Sequence, residues 1–182
     1  MIAFASPSEG ALSIQAGGSL WVGLLLASTR ALDQSYATEL EHDSLQQLVL
    51  WPVNGSAIYY GKALANTAML TLAALILCPL VVALYNAPVL GNAQQLSGFL
   101  FFGCSAISAP GTLYGLMTSQ ARGSSVLLPL LLFPLVVPAM LASARGTSLI
   151  FEGDPMAQGQ SWLTLLIALN AVHWSLSGLF YA

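Results

Sequence analysis

The sequence predicts an all-α, polytopic membrane protein with about five transmembrane helices, and three observations lead to this fold class. Of the 182 residues, 57% are hydrophobic and only 6% are charged, and the mean hydropathy is +0.77. Soluble domains carry about 25% charged residues, so this chain is expected to be surrounded largely by lipid. The few charges are also confined, because none lies between Lys62 and Arg122, between Arg122 and Arg145, or after Asp154.

The whole chain, residues 1–182, is predicted to form a single transmembrane domain. Its spans are expected at about residues 18–34, 58–84, 96–117, 125–143 and 161–181. The first helix is expected to continue beyond the membrane, since the long side chain of Arg30 can reach the interface. Pro79 and Pro110 predict kinks in the second and third spans. The three prolines of the fourth span are expected to free several carbonyl groups, which neighbouring helices or a cavity must satisfy. Residues 145–160 are predicted to form the last loop.

A polar segment at residues 33–56 contains a predicted short amphipathic helix. Ser44 and Gln47 fit the S-x-x-Q form of the capping box, which predicts a helix start. The apolar face that follows consists of Leu45, Leu48, Val49 and Trp51, and the helix ends at Pro52. The helix is too short to cross a membrane. It is either an interfacial helix or a docking element for a cytoplasmic partner that binds a helix in a groove, and the residues alone leave both open.

The third predicted span contains a pair of glycines suited to helix packing. Gly111 and Gly115 are four residues apart, so they share one face of the helix. Small residues at this spacing let the backbone of a second helix approach closely within a membrane. Gly111 and Gly115 are therefore predicted to lie at a helix–helix contact.

The orientation of the chain follows from its four cations. If the polar segment is cytoplasmic, then Arg30, Lys62 and Arg122 face the cytoplasm and only Arg145 faces the other side. Transmembrane proteins carry an excess of Lys and Arg in their cytoplasmic loops. This distribution favours a cytoplasmic position for the segment at residues 33–56.

Several residues suggest chemistry at first sight, and other interpretations fit them better. His173 could ligate haem iron or relay protons, but a lone histidine without a second ligand is more often hydrogen bonded between helices. Cys78 and Cys104 lie in apolar runs and are expected to be small buried hydrophobes rather than a disulfide. The stretch from Gly55 to Ala63 lacks the glycine spacing of a phosphate-binding loop and the Ser or Thr after its lysine.

The sequence therefore predicts a non-catalytic protein without a cofactor or metal of its own. It shows no carboxylates placed to face each other within the membrane and no assembly of Ser, His and Asp. Binding to nucleic acid is not expected either, because there is no basic patch to neutralise phosphates.

Stretches spread along the chain together resemble the CcmB family. They are residues 20–26, 43–48, 61–65, 79–80, 103–115, 122–123 and 127–130, with Pro52, Pro134 and Pro138. The likeness covers nearly the whole chain in order and without large gaps, which makes it more specific than any single motif.

The resemblance implies a multi-pass permease subunit in the bacterial inner membrane, belonging to the ABC transporter of the haem-exporter type used in cytochrome c maturation. It implies that a separate cytoplasmic ABC ATPase of the CcmA type drives haem export or the release of a haem-loaded chaperone. It further implies association with a haem-handling membrane protein and the haem chaperone, and two permease subunits in the complex. Contact with the ATPase is then expected at Asp43, Ser44, Leu45, Gln47, Leu48 and Trp51.

The chain departs from the family pattern at two places. Family members usually have six spans, so this sequence is expected to lack the one that precedes the region matching residues 13–21, by truncation or by a misassigned start. The pattern also tends to have Gly and Glu where this chain has Asp43 and Gln46, so the coupling contact is expected to differ in detail.

Three other functions stay open beside the leading one. A permease for another substrate, such as a lipid or a drug, would share the same features. A membrane-embedded enzyme would need clustered acids, histidines or metal ligands within the membrane, and the sequence shows none. A structural scaffold would bind no ATPase.

Overall fold

The structure is a computed structural model, and it describes residues 9–41, 55–87, 93–119, 127–154 and 156–179. The regular elements in these ranges are α1 (Glu9–Glu41), α2 (Gly55–Tyr85), α3 (Ala93–Ser119), α4 (Leu127–Glu152) and α5 (Gly159–Leu179). The described part of the chain contains no strand, so the all-α prediction is confirmed. The predicted amphipathic helix and its residues 43–51 lie outside the described ranges.

Three of these helices are long and apolar enough to cross a membrane by length and composition. They are α2 and two stretches within α3 and α4, Ala93–Gly115 and Pro134–Glu152. Helix α5 has 21 residues, which at about 1.5 Å per residue is the length of a span. Helix α5 also carries polar residues, including Asn170 and His173, that are buried inside the bundle. The three candidate spans support a multi-pass membrane protein. The predicted number of about five spans stays a prediction.

The helices are longer than the predicted spans at several ends. Helix α4 continues to Glu152, so the prediction of a loop from residue 145 is wrong for residues 145–152. Arg145 does not end the helix because its side chain is exposed on the outside of the bundle, while the small residues after it are buried. Helix α1 begins at Glu9 and ends at Glu41, which agrees with the predicted extension beyond the first span.

Pairwise contacts give the bundle an up-and-down order with α3 at its centre. Helix α3 packs against each of the other four helices. Close approaches of Gly103 to Ser143 and of Gly146 to Phe99 show that α4 runs antiparallel to α3. Helix α5 runs parallel to α3, since its successive contacts follow α3 in the same direction. Trp21 in the first half of α1 meets Thr147 near the end of α4, and Tyr60 at the start of α2 meets Trp174 near the end of α5. The end of the bundle where α1 ends and α2 begins is therefore also the end where α3 ends, α4 begins and α5 ends.

The outside of the bundle is apolar, as a lipid-facing surface requires. Helix α2 exposes large apolar side chains along its length, among them Leu64, Met69, Leu72, Ile76, Leu80 and Leu84. A soluble monomer rarely exposes a continuous apolar patch of this kind. Lipid is the solvent that matches this surface, since the hydrocarbon core offers no partner for polar groups.

The turn between α4 and α5 is held by one carboxylate outside the apolar stretches. Asp154 accepts hydrogen bonds from the backbone N–H groups of Gln158 (2.8 Å) and Gly159 (2.8 Å). These are donors at the start of α5 that have no partner within the helix. The negative charge of the Asp154 carboxylate also complements the positive end of the dipole of α5. The carboxylate thus fixes where α5 begins.

Candidate functional site

A continuous set of polar side chains is buried between α2, α3 and α5, and we call it the polar seam. Its members are Tyr59, Asn66, Ser105, Ser108, Thr112, Asn170, His173, Trp174 and Ser177. Most of them are almost completely buried. Within a membrane bundle, polar residues of this kind face the interior, bond across helices, and mark functional regions.

The first part of the polar seam joins α2 to α3. Asn66 donates from Nδ2 to Thr112 Oγ1 at 3.0 Å. Ser108 donates from its hydroxyl to the carbonyl oxygen of Ala63 at 2.7 Å. These bonds lie on one side of α3, because Ser108 and Thr112 are one helical turn apart. They hold the first half of α2 against the second half of α3.

The second part of the polar seam joins α5 to α3. Asn170 uses both hydrogens of its amide, donating to the carbonyl oxygens of Phe102 (2.8 Å) and Leu166 (3.0 Å). Trp174 donates from its indole N–H to Ser105 Oγ at 2.9 Å. The two contacts are a helical turn apart on α5, and they fix its rotation about its own axis relative to α3.

His173 lies between these two contacts, opposite the part of α3 where Pro110 interrupts the hydrogen bonding of the helix. The His173 ring lies beside the backbone of Ala106. Pro110 has no backbone N–H, so the Ala106 carbonyl, four residues earlier, lacks its usual donor within the helix. Neighbouring helices can satisfy a carbonyl that a proline frees in this way. This agrees with the prediction of a histidine hydrogen bonded between helices.

Aromatic rings close the polar seam toward the end of the bundle where α5 ends. Tyr59 donates its hydroxyl to the carbonyl oxygen of Ala109 at 2.9 Å and also makes a side-chain hydrogen bond with Ser177. The neighbouring Tyr60 stacks on Trp174 with ring centroids 5.9 Å apart and planes 4° from parallel. Because amphipathic rings favour the membrane interface, this end of the polar seam is expected at interfacial depth.

A second polar contact, between α1 and α4, lies on the other side of α3. Trp21 is fully buried, and its indole N–H donates to Thr147 Oγ1 at 3.0 Å. The hydroxyl of Thr147 donates in turn to the carbonyl oxygen of Ser143 at 2.8 Å. The indole ring covers Gly103 of α3. One side chain thereby connects three helices.

The two cysteines are free and buried, as predicted. The thiol of Cys104 lies beside Thr71 of α2. Within the described residues, no group of three or more His, Cys, Asp or Glu side chains could hold a metal ion. The polar groups that come together here are hydroxyls, amides, indoles and one imidazole, and they form hydrogen bonds between helices.

The structure describes some of the predicted site residues and not others. The six predicted ATPase contacts, Asp43, Ser44, Leu45, Gln47, Leu48 and Trp51, lie outside the described residues. Gly111 and Gly115 are both buried in α3. Their predicted role in helix packing stays a prediction. The described close approaches between helices are at other glycines, namely Gly17, Gly103, Gly146 and Gly178.

Sequence reasoning named His173 but missed the rest of the polar seam. A signal was available, because polar residues recur at helical spacing on the inner faces. On α3 they are Ser105, Ser108 and Thr112, and on α5 they are Asn170, His173 and Ser177. Spacings of three or four residues place side chains on one face of a helix. A search for polar stripes within apolar helices would have found them.

The apolar exterior, the candidate spans and the buried polar seam define a class, that of multi-pass helical membrane proteins. The profile of the CcmB protein family matches residues 1–182 of the chain. The chain belongs to the CcmB family, and the resemblance seen in the sequence is confirmed.

Curated relatives agree with this assignment. The chain is 33% identical to heme exporter protein B of Rhodobacter capsulatus over 139 residues, which cover 76% of this chain and 63% of that protein. It is 33% identical to heme exporter protein B of Paracoccus denitrificans over 168 residues, covering 91% of this chain and 73% of that protein. The protein of the same name from Pseudomonas aeruginosa is 26% identical over 163 residues, or 90% of this chain and 73% of that protein.

Proposed function

We propose that this chain is the permease subunit of an ABC transporter of the haem-exporter type that serves cytochrome c maturation. Membership of the CcmB family is the observation that carries the proposal, since the relatives bear the name heme exporter protein B. All five helices cross the bacterial inner membrane, including α1 and α5, which are not among the three candidate spans. The chain itself is not catalytic, and a separate ATPase hydrolyses ATP.

The polar seam supports a role as a membrane subunit that changes shape. Interhelical hydrogen bonds in membranes are modest, averaging about 0.6 kcal/mol in double-mutant cycles. A bundle joined by several such bonds therefore has specific but exchangeable contacts between α2, α3 and α5. A partner that hydrolyses ATP outside the membrane can then shift these helices without disrupting an apolar core of high stability.

The up-and-down order supports the proposed orientation. The ends of α1 and α3 and the starts of α2 and α4 share one end of the bundle, and Lys62 lies within two turns of the start of α2. Arg122 belongs to the connection between α3 and α4. The positive-inside rule favours a cytoplasmic position for this end. Arg145, in the other half of α4, then faces the periplasmic side.

The partner at the cytoplasmic end is an ABC ATPase of the CcmA type. The sequence at residues 43–51, with its capping box and apolar face, supports a coupling helix that inserts into a groove of this ATPase. Association with a haem-handling membrane protein, with the haem chaperone and with a second permease subunit belongs to the same proposal.

Deletion of the gene should abolish c-type cytochromes in the host. We expect the bands that stain for covalently bound haem in membranes to vanish and to return when the gene is restored. A chain with Gly18→Ala should restore them equally well, because no described atom lies within 4 Å of a Cβ at that position. Bands that persist after deletion would contradict the cytochrome pathway and favour the alternative, a permease for another substrate such as a lipid or a drug.

Introducing charge into the coupling segment should separate the chain from its ATPase. With Leu45 and Leu48 both changed to Asp, we expect co-purification of the ATPase to be lost, because two carboxylates cannot be buried in an apolar groove without a large cost. Changing the same two residues to Met keeps the face apolar and should preserve co-purification. Membrane insertion, measured by fractionation, should be equal for both variants. An unchanged yield of ATPase with the Asp pair would refute the docking assignment.

A further inference from the structure

Two polar atoms on one face of α5 are buried without a hydrogen-bond partner among the described residues. They are Oδ1 of Asn170 and Nδ1 of His173. Only 6% of Asn170 and 5% of His173 is exposed. The two residues are three positions apart in the helix, so their side chains are neighbours on its surface. A buried polar group without a partner costs about 1–3 kcal/mol, and two adjacent ones need an explanation.

The orientation of Asn170 is fixed, so its free atom is an acceptor. Both hydrogens of the Nδ2 group are used, one on the carbonyl oxygen of Phe102 and one on that of Leu166. Rotating the amide by half a turn would place its oxygen against these two carbonyl oxygens, and the oxygens would repel each other. The Oδ1 atom is therefore the one that is left, and it can only accept a hydrogen bond.

The surroundings of His173 indicate which nitrogen of its neutral ring carries the hydrogen. The ring lies beside the backbone of Ala106, whose carbonyl lacks a helix donor because of Pro110. A carbonyl oxygen accepts, so the ring nitrogen that meets it carries the hydrogen. Since Nδ1 has no partner among the described residues, we expect Nε2 to be the donor. A neutral imidazole has one donor and one acceptor nitrogen, so Nδ1 is an acceptor.

Two neighbouring acceptors cannot satisfy each other, and both need hydrogens from a third group. No described side chain supplies them, because the indole N–H of Trp174 already donates to Ser105 Oγ and no described hydroxyl makes a hydrogen bond with either atom. Burial of both atoms excludes a large ligand. A water molecule has two hydrogens to donate, and buried waters typically bond to polar groups that would otherwise lack a partner.

We propose that Asn170 and His173 form a binding site for one buried water molecule between α3 and α5. The water donates one hydrogen to Oδ1 of Asn170 and the other to Nδ1 of His173. The site lies beside the segment of α3 that precedes Pro110. The water thereby completes the contact by which α5 holds this part of α3.

Nuclear magnetic resonance of the full chain in lipid nanodiscs, labelled with 15N-histidine, tests the proposal. His42 is the other histidine of the chain, so the signals of His173 are assigned by their loss in His173→Phe. We expect a neutral ring with the hydrogen on Nε2. We also expect magnetisation transfer from a long-lived water to this ring. A ring with its hydrogen on Nδ1, or an absence of transfer in the unchanged protein, would overturn the proposal.

Two variants distinguish this site from water elsewhere in the polar seam. Asn170→Leu removes one of the two acceptors, and transfer from water to His173 should fall at least tenfold while the hydrogen stays on Nε2. Ser105→Ala removes the bond to Trp174 in the same interface and keeps both acceptors, so transfer should be unchanged. Equal transfer in Asn170→Leu and the unchanged protein would show that the pair does not hold the water, and would refute the site.

Discussion

Replacing Gly17 with alanine is expected to lower the free energy of unfolding by about 1–3 kcal/mol, the usual cost of overpacking. A Cβ at this position of α1 would overlap Ser148 Oγ and would lie 2.8 Å from the carbonyl oxygen of Ala144 and 2.9 Å from the backbone nitrogen of Ser148. A side chain can rotate away, but the backbone of α4 cannot. The alanine therefore separates α1 from α4, and the loss should appear as a lower unfolding midpoint in detergent.

The neighbouring glycine is the matched control for this prediction. Gly18 is in the same helix, and no described atom lies within 4 Å of a Cβ built there. In an exposed helix interior, alanine is more favourable than glycine by roughly 0.5–1 kcal/mol. Gly18→Ala should therefore leave the midpoint unchanged or raise it. Equal losses in the two variants would mean that α1 does not pack on α4 through Gly17.

Replacing Gly103 with alanine is expected to cost a similar amount, about 1–3 kcal/mol, through a different neighbour. The new Cβ would overlap the six-membered ring of Trp21 and would lie 2.8 Å from Ser143 Oγ. Trp21 is fully buried and bonded to Thr147, so its ring cannot move aside without breaking that hydrogen bond. Thermal unfolding in detergent would measure the loss.

A double-mutant cycle with Trp21→Phe isolates the contact between these two residues. The phenylalanine loses the indole hydrogen bond to Thr147, a loss of about 1 kcal/mol, but its smaller ring leaves space for a methyl group. We expect the double variant to be more stable than the sum of the single losses by about 0.5–3 kcal/mol, the range for residues in contact. Gly61→Ala, where no described atom is within 4 Å, serves as the control. Additive losses would contradict the close packing of α1 on α3 at Gly103.

The sequence predicted the class and the family of the protein for reasons that do not depend on tertiary contacts. Lipid as a solvent requires long apolar helices, and a chain with 6% charged residues has few alternatives. The order of motifs from residue 20 to residue 138 is by itself enough to show the resemblance to the CcmB family. Both signals are carried by composition and order along the chain.

The end of α4 shows where this kind of reasoning fails. A charge usually marks the end of an apolar run, which is why the sequence predicts a loop from Arg145. The helix passes through it to Glu152, because the charged side chain faces outward while Gly146 and Thr147 pack inward. Which way a residue faces depends on the neighbouring helices, and the local sequence does not contain that information.

The polar seam depended on tertiary structure even more strongly. Asn66, Ser105 and Asn170 are widely separated along the chain and individually ordinary, and each becomes informative only when its partner on another helix is known. The sequence by itself determined that the chain lies in a membrane and to which family it belongs, because hydrophobicity and motif order are properties of the linear chain. Only the packing of α2, α3 and α5 decided which polar groups meet, because hydrogen bonds require atoms within about 3 Å in space.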